Sequence, residues 1–179
     1  MANICGFSMR VRGNRDNIEK FYNALTQNGK IYMGRGADAR IEYDDEDTAN
    51  IDGWCKWSVT SALINNAISM REEPNTWAFD VDHSLLEFIT LEEACQRWNV
   101  DMEVYSEESG CCFQEHILII DGETIVDECV EWNEYCLDSF DTKEEAEDEL
   151  GIEITDEDWE NNRYDFVSTG GFENWDFEF

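Results

Sequence analysis

Forty-three Asp and Glu side chains stand against twelve Lys and Arg in this chain of 179 residues, a formal net charge of −31 at neutral pH. A compact state must hold those charges within a few tens of ångströms of one another, and their self-repulsion works against folding. Duplex DNA carries one charge per roughly 1.7 Å of axis, so the same charge corresponds to about 15 base pairs, a length of roughly 50 Å. A folded domain of this chain length has a radius of gyration of about 16 Å and a diameter of roughly 40 Å. The charge per unit length therefore rivals that of DNA, and it far exceeds the magnitude of about 2 to 8 that solubility asks of a small domain.

The chain nevertheless has the material for a core. Its hydrophobic content is 42%, with seven Trp, ten Phe and six Tyr, whereas disordered acidic segments lack large apolar side chains. The length predicts one domain, residues 1–179. The seven cysteines, at 5, 55, 95, 111, 112, 129 and 136, are odd in number, and the opening MANICGFSMR has no charged-then-apolar leader. With no long apolar run either, these features predict a cytoplasmic protein with reduced thiols and no membrane partner. A field of this sign repels nucleic acid and steers basic proteins inward, so direct nucleic-acid binding is disfavoured.

Charge is uneven along the chain. Residues 1–40 carry Arg10, Arg12, Arg15, Lys20, Lys30, Arg35 and Arg40 against Asp16, Glu19 and Asp38, which makes the first quarter mildly basic. Beyond residue 120 the only bases are Lys143 and Arg163, and residues 131–179 form a strongly acidic subregion.

Periodicity supplies the elements. Residues 4–12 alternate as a half-buried strand. Asn14 or Asp16 then caps a helix whose Ile18, Phe21, Tyr22 and Leu25 form one stripe, ending near Asn28-Gly29. Residues 40–43 and 54–59 read as strands around the acidic turn 44–47, followed by a helix near 61–70. Thr90 and Glu93 form a capping box opening a helix over 90–98, and 100–106 reads as a strand. Residues 114–120 and 123–130 flank Asp121-Gly122, a type I′ hairpin signal. Residues 141–150 and 155–161 are acid-packed helices, 165–168 and 175–179 are extended, and Pro74 marks a loop.

Candidate chemistry is sparse. Cys111-Cys112 with His116 has the ligand types for zinc or a nucleophile, but adjacent strand cysteines face opposite ways and lack the C-x2-C spacing, and nearby acids oppose thiolate formation. His83 and His116 are the only histidines. The acids at 44–47 and 156–158 fit no calcium-loop pattern, and Gly34-Arg35-Gly36 is a turn rather than a phosphate cradle. The chain reads as a non-enzyme with no cofactor and no bound metal.

Five stretches, MANICGFSMRVRG, NIEKFYNAL, WCKWSV, VYSEESGCCFQEHILI and GGFENWDFEF, resemble the YubB-like ferredoxin-fold family of mobile-element and phage proteins. The resemblance implies an α+β, ferredoxin-like antiparallel sheet with helices on one face, here with an acidic C-terminal extension, and carries no catalytic residues. By composition alone the chain is also similar to DNA-mimic anti-CRISPR and antirestriction proteins.

These readings converge on an acidic inhibitor that fills a basic nucleic-acid site of a host defence nuclease, either a Cas9-type CRISPR effector or a restriction enzyme. Trp132, Tyr135, Trp159 and Tyr164 are interleaved with the acids expected to make the contact: Glu131, Glu134, Asp138, Asp141, Glu144, Glu145, Asp148, Glu149, Asp156, Glu157 and Asp158. The alternatives are a non-catalytic binding or regulatory module of a mobile element, marked by an exposed aromatic patch, and a metal-dependent hydrolase using clustered carboxylates.

Overall fold

The computed structural model describes residues 3–72, 85–161, 163 and 166–179. Pro74, His83, Tyr164 and Asp165, singled out above, lie outside the described residues.

The alternating opening becomes strand β1 (Ile4–Arg12), whose Cys5, Phe7, Met9 and Val11 are buried. Asn14 accepts from the Asp16 backbone N–H and caps α1 (Arg15–Leu25), which turns Ile18, Phe21, Ala24 and Leu25 inward. After the short β2 (Ile31–Met33) come β3 (Asp38–Tyr43) and β4 (Thr48–Lys56). The strand expected over 54–59 is displaced: β4 already begins at Thr48 because Ala49 and Ile51 reach the core, and the chain leaves the sheet at Trp57, whose φ is 75°. A π-helical stretch (Thr60–Asn65) runs into α2 (Asn66–Glu72). β5 (Glu87–Ile89) pairs in parallel with β2, and α3 (Leu91–Trp98) starts at Thr90 with both capping-box bonds made.

The remaining strands extend the sheet. They are β6 (Asp101–Glu108), β7 (Phe113–Ile120) and β8 (Glu123–Cys136), followed by α4 (Lys143–Leu150), α5 (Asp156–Asn161) and β9 (Phe166–Gly170). Asp121 and Gly122, with φ of 52° and 75°, make the tight hairpin between β7 and β8. A Cβ on Gly122 would lie 2.2 Å from Cγ of Gln96, whose amide donates to the Gly122 carbonyl, so this turn is also where α3 docks.

The protein is thus mixed α+β, built on a seven-stranded antiparallel sheet of order β3-β4-β1-β6-β7-β8-β9. The inward residues of β1, β4, β6 and β7 share one core with α1, α3 and the π-helical stretch. A second apolar cluster, Leu137, Phe140, Ala146 and Ile154 packed with Tyr135, Trp159 and Val167, lies between α4, α5 and the β8–β9 pair. β8 links β7 to β9: Glu123–Glu131 pairs with β7, and Trp132–Cys136 pairs with β9.

Cys111 and Cys112 do not sit on a strand as expected. They occupy the turn between β6 and β7, with Cys112 at φ 57°. Glu108, almost fully buried, accepts from the Gly110 and Cys111 backbone N–H groups and pulls the chain out of the sheet there.

Glu93 also binds Arg71, whose guanidinium is the main reason the Glu93 carboxyl is held below its ordinary range; the Thr90 N–H adds to the effect. That stabilisation is complete above the unfolded carboxylate value and is lost as pH falls through the lower folded one. Urea unfolding is expected to show Thr90→Ala costing about 1 kcal/mol at pH 7. The penalty of Glu93→Gln is expected to shrink progressively as pH is lowered below the ordinary carboxylate range, measured by the same urea titration.

Candidate partner-binding surface

The acids expected to contact a partner are brought together on β8, α4, α5 and their connections. All are exposed except Asp158, which is half-buried. The structure divides them by what else they hold. Glu145 accepts from the Asp141 N–H while Thr142 caps the Glu145 N–H, so this acid completes the start of α4. Asp158 takes the Thr155 hydroxyl at 2.6 Å, Asp156 takes Lys143 at 2.6 Å, and Asp138 lies 4.0 Å from Arg163. Glu147, not among the expected contacts, accepts from the Ile154 N–H at 3.0 Å and ties the α4–α5 link.

Glu131, Glu134, Glu144, Asp148, Glu149 and Glu157 project from this frame. Within α4 the pairs Glu144–Asp148 and Glu145–Glu149 are like charges one turn apart, and the last turn has no basic residue. Each such pair destabilises a helix by roughly 0.2–0.5 kcal/mol, and acids in the last turn oppose the helix dipole. Only Ala146 of this helix is buried. The charge on α4 is therefore carried against the helix's own stability, and Lys143 is the one base facing it from within.

The acids at 44–47 have a different task. Asp44 binds Arg10 at 3.1 Å and Asn50 at 2.9 Å, and Asp45 accepts from the Asp47 N–H, so they stitch the β3–β4 turn. Among the described residues, no three Cys, His, Asp or Glu side chains are grouped to hold a metal ion. Part of the basic first quarter is engaged within the fold as well: Arg12 pairs with Asp101 at 2.7 Å, and Arg15 lies over the Tyr43 ring.

Sequence reasoning missed two arrangements. On the helix side of the sheet, Glu115 is buried and accepts from the Val59 N–H at 2.8 Å, the Thr60 N–H at 3.4 Å and the Ser106 hydroxyl at 2.8 Å. It fixes where the π-helical stretch begins. On the opposite side, Glu103 is fully buried beside His116 at 2.8 Å and accepts from the Glu178 backbone N–H. The residues after Gly171 cross this face. Phe172, Trp175 and Phe177 pack around Tyr105, which stacks on His116 at 4.1 Å, and Arg12 lies 4.4 Å from the centre of the Phe179 ring. Burial, with Glu103 next in importance, pushes the Tyr105 phenol above its ordinary value. Residues 175–179, expected to be extended, form no strand and lie over the sheet rather than joining it. The legible signal was parity, since Glu103, Tyr105 and His116 fall on the same face of paired strands.

His116 thus faces a carboxylate and not Cys111 or Cys112. The Cys111 thiol is pushed above its ordinary value, chiefly by its hydrogen bond with Glu108, the reverse of what activates a nucleophile.

Two predictions follow from these placements. At low salt, Asp148→Lys and Glu149→Lys are each expected to raise unfolding free energy by about 0.5 kcal/mol, measured by urea titration, because they remove a like pair and place a cation in the last turn. Alkylation of Cys111, followed by mass spectrometry, is expected to go on accelerating at pH values where an ordinary thiol has levelled off, and Glu108→Gln to shift that profile downward. No family model, curated protein or solved structure matches the chain.

Proposed function

We propose that this protein is an acidic inhibitor whose β8–α4–α5 ridge occupies a basic nucleic-acid-binding site on a host defence nuclease, a Cas9-type CRISPR effector or a restriction enzyme. The observation that carries the reading is α4, where Asp148 and Glu149 stand in the last turn and are paired one turn away with the like charges of Glu144 and Glu145, although both placements weaken the helix. Charge that costs stability and is anchored on a formed frame fits a surface retained for a partner rather than one that merely keeps the chain soluble. The frame itself, through Glu145, Glu147, Asp156 and Asp158, ties down the starts of α4 and α5 and the link between them, which supports an ordered rather than a loose acidic surface.

The partner's Arg and Lys side chains would exchange phosphate for carboxylate, and binding would be competitive with guide RNA or DNA. The protein itself performs no chemistry in this role and needs no cofactor. For the scaffold we propose a ferredoxin-like unit of β1, α1, β3, β4, α3 and β6, extended by β7 to β9. It is supported by the order β3-β4-β1-β6 with antiparallel neighbours throughout. A mobile-element origin, suggested by the resemblance to YubB-like proteins, agrees with such a cargo.

The test is a pull-down of purified Cas9-type effectors and restriction enzymes, with and without their nucleic acids, at about 0.1 M and 0.5 M salt, where screening separates surface charge contacts from apolar ones. Salt-sensitive capture that nucleic acid displaces is expected. The combined variant Glu131→Lys, Glu144→Lys, Asp148→Lys and Glu149→Lys, chosen to spare the framing acids, is expected to stay folded and lose inhibition. Retained inhibition by that folded variant would overturn the reading.

A further inference from the structure

The face of the sheet away from the helices holds a hollow at the opposite end from β8, above β3, β4, β1 and β6. Cross-strand register lays out one row of it: Asp38 faces Trp54, Trp54 faces Gly6, and Gly6 faces Glu107. Because Gly6 has no side chain, a notch opens between the Trp54 indole and the Glu107 carboxylate. In the next row Arg40 faces Asp52 and Asp52 faces Ser8, whose hydroxyl donates to Asp52 at 2.8 Å. Trp175, stacked on Tyr105 at 5.7 Å, supplies a further wall. The hollow encloses about 610 Å³ and opens to solvent.

Nothing in the fold demands the glycine that makes the notch. The φ of Gly6 is not positive, and a Cβ there would meet no atom within 4 Å. Gly53 on the neighbouring strand is the contrast, since its Cβ would fall 2.4 Å from the Asp38 carbonyl oxygen. A strand-interior glycine weakens the strand and marks a place where another group comes close to the backbone. Trp54 is equally unexplained by packing, with 54% of its surface exposed.

We propose that this hollow binds the guanidinium of an arginine side chain presented by a basic partner protein. Two indoles offer faces that attract cations. Asp38, Asp52 and Glu107 outnumber Arg40, so the site disfavours anions. A planar guanidinium can lie against an indole and fork its N–H donors to a carboxylate, whereas an ammonium is a more strongly hydrated point charge. The chain's overall field concentrates such cations at its surface. This site shares no residue with the acidic ridge, and it stands whether or not the ridge engages a nuclease.

The experiment is a proton–nitrogen NMR titration of the full chain with N-acetyl-arginine amide and, separately, N-acetyl-lysine amide, at about 0.15 M salt to screen exposed charges. Saturable shifts at the Trp54 and Trp175 indole N–H and the Gly6 amide are expected, tighter for arginine. Gly6→Val fills the notch with a residue suited to strands and is expected to weaken binding about tenfold, as is Trp54→Ala, which removes a cation-attracting wall. Asp148→Lys with Glu149→Lys, on the ridge, is expected to leave these shifts unchanged. Three results would overturn the proposal: shifts spread without saturation over exposed acids, folded Gly6→Val and Trp54→Ala variants that bind like the native chain, or equal affinity for the lysine amide.

Discussion

Mutual repulsion among the carboxylates is the constraint to which every other feature of the structure answers. It favours spreading the acids over the surface, and desolvation makes any buried one costly unless its oxygens are met by donors. Among the described residues three acids are buried all the same, and each is met. Glu115 collects two backbone N–H groups and a hydroxyl, Glu108 collects the N–H groups of its own turn, and Glu103 collects His116 and the Glu178 N–H. Glu115 and Glu103 join segments distant in sequence and Glu108 closes its own turn, so the acids that could have broken the core instead position a helix start, a turn and the C-terminal residues.

The same constraint separates two kinds of surface acid. Glu145, Asp156 and Asp158 close caps or ion pairs, and without them α4 and α5 would have little to hold them, since their shared apolar cluster is small. Asp148 and Glu149 do the opposite and load the last turn of α4 with charge that opposes its dipole and repels Glu144 and Glu145 one turn away. The tension between these groups, more than the total charge, supports a recognition role for the ridge.

Local structure was largely legible in the residues. The β1 alternation, the Asn14 cap, the Thr90–Glu93 box and the Asp121-Gly122 turn are short-range features whose partners lie within a few positions, so local chemistry settles them. The strand at 54–59 was misplaced because Trp57, Ser58 and Val59 look extended in isolation. Glu115, more than fifty residues away, draws the Val59 and Thr60 N–H groups into a helix start. Cys111 and Cys112 were placed on a strand for a similar reason, with the turn-forming Glu108 hidden among other acids.

The sequence by itself determined that the chain is acidic, aromatic-rich and α+β, because composition and short periodicities express burial and propensity directly. Only the tertiary structure decided which acids are framework and which are free, and that the last residues cover the sheet around Tyr105 instead of pairing at its edge. It also decided that Gly6 stands between Trp54 and Glu107. Those outcomes depend on strand register and long-range hydrogen bonds, which join residues up to about a hundred positions apart and leave no periodic trace in the chain.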